Sequence, residues 1–196
     1  MNDNSQNANQ NNNLEELENI TKPKKNSFVR ELVSWIILFV GAIAIALIVN
    51  KTVLANTEVP TGSMENTIHG GDRLFGFRLA YTFSEPERGD IIIFKYPDNE
   101  EENYIKRIIG MPGDKVEIIK GVVYINGEEL EESYLKEKPF ELDFGPYEVP
   151  KDSYFVLGDN RNGSHDARRW NNTYVHKDKI IAKAIFKYYP DFELIE

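Results

Sequence analysis

Leu32 to Val49 is a run of 18 residues whose only polar side chains are the Ser34 hydroxyl and the Trp35 indole. As a helix it would extend roughly 27 Å, close to the hydrocarbon thickness of a bilayer at about 30 Å. A helix packed into a soluble core carries a polar stripe, and none interrupts this run. A cleaved secretory leader is the other reading, because Val53-Leu54-Ala55 looks like a small-residue cleavage site. The run exceeds the roughly 7 to 15 apolar residues of such a leader, and a long polar segment precedes it. It therefore reads as a retained transmembrane helix over residues 32–50. Lys22, Lys24, Lys25 and Arg30 stand before the span and Lys51 alone just after it. That asymmetry places the N-terminus in the cytoplasm and residues 51–196 on the outer face of the cell membrane, a single-pass layout.

The flanking segments differ sharply in character. Residues 1–21 are rich in Asn and Gln and too poor in apolar surface to offset the entropy of ordering, so residues 1–31 read as a disordered Asn-rich tail ending in a basic juxtamembrane cluster. The formal charge of -9 leaves no broad basic surface to neutralise phosphates, which argues against a nucleic-acid partner. The absence of cysteine excludes disulfides, thiolate metal sites and a thiol nucleophile.

Beyond the span the period changes. Residues 73–80, 90–95, 103–109, 116–120, 122–125, 154–157 and 179–189 are short runs rich in Ile, Val, Phe and Tyr, separated by Pro, Gly, Asp and Asn. Asn126-Gly127 is a tight-turn signal, and Gly121 lets the preceding pair fold back as a hairpin. No comparable run repeats at helical spacing, so residues 51–196 read as a mostly β domain of antiparallel, strongly bent sheets. Residues 128–150 are acidic and aromatic without clear period and read as a loop or flap.

Ser63, in Val59-Pro60-Thr61-Gly62-Ser63-Met64, is a candidate nucleophile, because Gly62 lets a substrate backbone approach and the proline stiffens the entry. Only 13 residues separate it from Val49, which even fully extended reach no more than about 45 Å, so it is tethered near the membrane surface. A hydroxyl needs a base. Ser164-His165-Asp166 fails as a triad, since adjacent side chains diverge. His69, His165 and His176 could each serve from a distance. Lys106 is the better candidate. In Tyr104-Ile105-Lys106-Arg107-Ile108-Ile109 strand alternation puts one cation among apolar neighbours whichever face is inward, and desolvation drives a lysine toward the neutral amine that can accept a proton. A solvated lysine on an edge strand is the alternative. Residues 158–170 are dense in turn formers and paired charges, and form a loop bonded to itself or supporting a site.

Together and in this order, these three stretches resemble the bacterial type I signal peptidases, membrane-anchored serine proteases with a Ser/Lys dyad. The resemblance runs from the anchor to about Tyr189, and the compact domain suggests the small form common in Gram-positive bacteria. It implies Ser63 as nucleophile and Lys106 as general base. Thr61 then stands where a hydroxyl joins the Ser63 amide in the oxyanion hole, and Ser164 where a serine hydrogen-bonds and orients the lysine. Asp166 and Arg168 match a structural ion pair, with Asp159 and Arg161 nearby. Met64, Ile68, Tyr104 and Ile105 match positions lining a shallow pocket for a small substrate residue. Precursors bearing signal peptides are the implied partners, with membrane lipid and the secretion machinery close by. No metal or cofactor is implied.

Two positions depart from the family pattern: Ala167 stands where many members carry serine, and Asn171 follows Trp170 where glycine is usual. Ser/Lys self-cleaving repressors have a similar catalytic domain but carry a DNA-binding module where this chain has its span. A displayed β domain that binds partners and catalyses nothing is a second alternative.

Overall fold

The computed structural model describes residues 25–195. The tail of residues 1–21, with Lys22 and Lys24, lies outside the described residues.

Helix α1 spans Lys25–Thr52, longer at both ends than the apolar run. Among the described residues it is the one helix long and apolar enough to cross a membrane. From Phe28 to Val49 its large apolar side chains are exposed, Trp35, Phe39 and Leu47 among them. Two hydroxyls along it are satisfied within the helix: Ser34 donates to the Arg30 carbonyl at 2.9 Å and Thr52 to the Ile48 carbonyl at 2.8 Å. Such back-bonding is what an apolar solvent requires of a polar side chain. The chain divides after Leu47 into two units, of which the second holds the β domain.

The strands of that domain are β1 Leu54–Glu58, β2 Arg73–Phe77, β3 Ile91–Tyr96, β4 Asn99–Gly110, β5 Lys115–Ile119, β6 Val122–Ile125 and β7 Glu128–Glu129. They continue with β8 Phe144–Glu148, β9 Ser153–Leu157, β10 Val175–His176, β11 Ile180–Tyr189 and β12 Glu193–Leu194. One sheet runs β1-β2-β11-β3-β4-β9-β10, with β12 added to β11, and the other runs β7-β6-β5-β8. Their pairings are antiparallel, as the strand pattern predicts. Lys120 and Gly121 both have positive φ (49° and 82°), as do Asn126 and Gly127 (54° and 89°). Those are the two hairpin turns expected from Gly121 and Asn126-Gly127, since a two-residue loop matched to strand twist needs both residues left-handed.

Both faces of the larger sheet are covered. Along β3, Ile92 and Phe94 join Ile108, Val156, Leu157 and Trp170 in one core, while Ile91 and Ile93 join Val59, Met64, Ile68, Leu74 and Ile105 in another. A strand buried on both faces reads as a continuous apolar run, which is why Ile91-Ile92-Ile93-Phe94 lacks alternation. The second core backs the residues around Ser63, and each fully buried Met or Ile there contributes about 1.5–3 kcal/mol.

Candidate active site

Ser63 lies in the connection between β1 and β2. That connection is closed at its base by two backbone bonds, Val59 N–H to the Asp72 carbonyl at 2.9 Å and Gly71 N–H to the Val59 carbonyl at 2.7 Å. Directly after Ser63 the chain makes a single tight turn, with the Thr67 and Ile68 amides donating to the Met64 carbonyl. Met64 and Ile68 are driven fully into the second core. The backbone at Ser63 is thus anchored from below by burial while its side chain is left at a groove.

Lys106 comes from the middle of β4. Ile92 of β3 stands opposite Lys106 and Phe94 opposite Tyr104, so the lysine shares the apolar face of those residues. Its Nζ lies 2.8 Å from Ser63 Oγ and donates to the Ile105 carbonyl at 3.0 Å. This packing leaves Lys106 only 3% exposed. Burial pulls the ammonium pKa down from 10.5 to about 8, against the attraction of Asp166 and Asp159, which raises it. Desolvation wins because neither carboxylate is the lysine's own partner: Asp159 is bonded to Arg107 and Asp166 to Arg168.

Alternation along β4 predicts one inward cation, and the structure buries two. Arg107 is only 4% exposed. It sits on the opposite face from Lys106 and forks onto Asp159, Nε to Oδ1 at 3.0 Å and Nη2 to Oδ2 at 2.8 Å, with Tyr134 beneath its guanidinium at 4.1 Å. Asp159 also accepts from the Thr67 hydroxyl at 2.5 Å, tying this pair to the turn after Ser63. A bidentate pair with a third donor is the form in which buried charge is tolerated.

The 158–170 segment is the third contributor. Asp166 is fully buried; burial alone would raise its carboxyl, yet Arg168 and the Gly158 N–H hold it below the ordinary carboxylate range. Arg168 binds both of its oxygens at 2.8 Å, the ion pair that the resemblance implies. Arg161 binds the Glu132 carboxylate through both terminal nitrogens, one at 2.8 Å, and donates Nε to the Gly158 carbonyl at 3.1 Å. Both partners are nearly sealed from solvent. Glu132 and Tyr134 come from the stretch that reads as a flap, and nothing in the sequence singles them out. A lone Glu in an acidic stretch gives no sign of a partner 29 residues away.

Thr61 Oγ1 is 3.4 Å from Ser63 Oγ. Ser164 is fully buried beside Gly158, and its Oγ meets no partner in hydrogen-bond geometry, although it faces the Asp166 carboxylate closely enough to favour the ionised form. The bond from Ser164 to the lysine implied by the resemblance is therefore not made here. Lys106 turns instead to Ser63 and the Ile105 carbonyl. Of the histidines, His69 is exposed and its amide bonds to Asp72, His176 pairs with Asp178, and His165 bonds the Tyr96 hydroxyl at 3.3 Å. None of them is bonded to Ser63.

The groove above Ser63 and Lys106 encloses about 420 Å³, with residues 57–61 on one wall and 102–106 on the other. Met64, Tyr104 and Ile105 line it, whereas Ile68 is fully buried outside that lining. The edge is open for a reason of register. β9 pairs with β4 only from Arg107 to Gly110, so among the described residues no strand pairs with the earlier half of β4 on that side. Among the described residues no cluster of His, Asp or Glu has metal-ligand geometry.

The protein-family description "Signal peptidase, peptidase S26" matches residues 32–189. The chain is 38% identical over 156 residues to a probable signal peptidase I-2 of Synechocystis, covering 77% of this chain and 70% of that one. It is 37% identical to a signal peptidase I of Leptolyngbya laminosa, over 87% and 84% of the two chains. To the signal peptidase I of Bacillus licheniformis it is 34% identical, over 89% and 98%. A crystal structure of a signal peptidase I from Enterococcus faecalis is 34% identical, with a TM-score of 0.45, covering 51% of this chain and 97% of that one. By the extent of the family match and the identity to these relatives, the chain belongs to the bacterial type I signal peptidases of family S26.

Proposed function

We propose that the chain cuts signal peptides from secreted precursors with Ser63 as nucleophile and Lys106 as general base. The observation that supports this most is the 2.8 Å contact between a buried amine and a groove-facing hydroxyl. With a pKa near 8, about a tenth of Lys106 is neutral at pH 7 and half at pH 8. The neutral amine accepts the Ser63 proton as Oγ attacks the scissile carbonyl carbon. The developing oxyanion is held by the Ser63 N–H and the Thr61 hydroxyl. Lys106, now an ammonium, gives its proton to the leaving amine, the carbon–nitrogen bond breaks, and an ester on Ser63 remains. Lys106 then takes a proton from water as the hydroxide attacks the ester, the Ser63 Oγ–carbon bond breaks, Lys106 returns that proton to Ser63 Oγ, and the signal peptide leaves as a carboxylic acid that ionises in solvent.

The precursor lies extended along residues 102–105, supplying the strand that β9 does not. Met64, Tyr104 and Ile105 shape the shallow pocket that admits small side chains and excludes larger ones by volume. Residues 1–31 stay in the cytoplasm, residues 32–50 span the bilayer, and residues 51–196 work at the outer face, in contact with lipid and beside the secretion machinery.

Full-length protein in detergent micelles, incubated with a secretory precursor, tests the reading. Ser63→Ala and Lys106→Met each abolish cleavage, while Lys138→Met, on the exposed face, does not. Cleavage surviving either of the first two refutes the dyad, and a chain that only binds precursors tolerates both.

A further inference from the structure

Asn160 sits beyond the ion pairs, yet both of its donors end on the backbone around Ser63. Its main-chain N–H donates to the Ser63 carbonyl at 3.2 Å, and its Nδ2 donates to the Gly62 carbonyl at 3.0 Å. Oδ1 of the same side chain accepts from the Gly163 N–H at 3.2 Å, so the amide is held at both ends with its donor toward Gly62. The Gly62 carbonyl and the Ser63 N–H belong to one peptide unit, which is trans. In a trans unit those two bonds point in opposite directions. Drawing the carbonyl toward Asn160 therefore aims the Ser63 N–H away from it, and that N–H has no acceptor among the described residues. Gly62 carries no side chain that would itself restrain rotation of this unit.

We infer that Asn160 is a positioning residue: it fixes the plane of the Gly62–Ser63 peptide and so aims the oxyanion donor at the place where charge develops. The inference rests on the Ser63 N–H serving as that donor. Deleting a whole oxyanion donor costs about 10²–10³ in kcat, and leaving one misaligned costs about 10- to 100-fold. Ground-state binding of the precursor, which uses the edge of β4 and the pocket, does not depend on this angle.

The test compares Asn160→Ala and Asn160→Asp in the full chain in detergent micelles with a secretory precursor. Aspartate keeps the size of asparagine and the acceptor for Gly163 and puts a charged acceptor where the donor to Gly62 stood, so with kcat compared on the plateau of each rate profile it decides the matter if the alanine variant does not fold. Both variants lose about 10- to 100-fold in kcat with KM within about twofold. Asn160→Ala leaves the alkaline limb of the rate profile where the wild type has it. Combined with Ser63→Ala, either variant binds signal peptide as tightly as Ser63→Ala alone. Full kcat in Asn160→Asp, a raised KM at unchanged kcat, or a loss accounted for by a displaced limb overturns the inference. If Ser63→Ala or Lys106→Met still cleaves, the dyad itself is wrong; if those two are inactive and both Asn160 variants are fully active, only the positioning role fails.

Discussion

Replacing Lys106 by methionine removes activity and also stabilises the fold at neutral pH. The folded-state pKa of about 8 lies below the unfolded value of 10.5. The unfolded chain therefore binds more protons than the folded one between those pH values, and stability rises as pH rises through that window. Below pH 8 the lysine is charged in both states and its burial costs the full difference, about 3 kcal/mol at 1.36 kcal/mol per pKa unit. At pH 10 the cost has fallen to about 1 kcal/mol. Methionine has a similar reach and no charge, so the variant gains stability relative to wild type at pH 7 and loses about 2 kcal/mol of that gain by pH 10. The lost bonds to Ser63 and the Ile105 carbonyl offset the gain by a roughly constant amount, which leaves the pH dependence as the clean observable. Urea unfolding of both full-length proteins in micelles, followed through tryptophan fluorescence at the two pH values, measures it. An equal stability difference at pH 7 and pH 10 refutes the account of a desolvated lysine.

Further expectations concern the parts that hold the dyad. A Cβ at Gly158 would overlap Ser164 Oγ and the Ser63 carbonyl oxygen, so Gly158→Ala displaces the nucleophile backbone and abolishes precursor cleavage, which an endpoint assay detects. Glu132→Ala leaves Arg161 buried and unpaired and costs about 3–5 kcal/mol in urea unfolding. Glu141→Ala, whose partner Lys138 is exposed, changes stability by less than about 1 kcal/mol. Ala55 is buried in β1 opposite Gly76, so the wild type does not trim itself after Ala55, and intact-mass measurement on wild type and Ser63→Ala gives full-length chains for both.

The strands most legible in the sequence are those buried on at least one face, such as β3, β6 and β9, whose Ile, Val and Phe content announces them. β1 is hidden because Leu-Ala-Asn-Thr-Glu carries one large apolar residue and follows directly on the anchor. β8 is hidden because Phe144-Gly145-Pro146 reads as a turn, although Pro is compatible with an outer strand such as this one. The start of β4 escapes notice because Asn99 to Glu102 are exposed hairpin residues with no apolar alternation. Ser63 and Lys106 are legible as a pair only through ordered motifs, since alternation leaves the face of Lys106 undecided and cannot reveal that Arg107 is buried as well. Asn160 and Glu132 are not legible, because what they do is set by backbone carbonyls and a partner brought close only by folding.

The most direct test of the dyad is the pH dependence of kcat/KM for precursor cleavage by the full-length wild type. It is predicted to rise about tenfold from pH 7 to a plateau above pH 9, following one ionisation near pH 8, because the neutral amine is the active form. A rate that is flat over this range, or that falls as pH rises from 6 to 9, contradicts a lysine base.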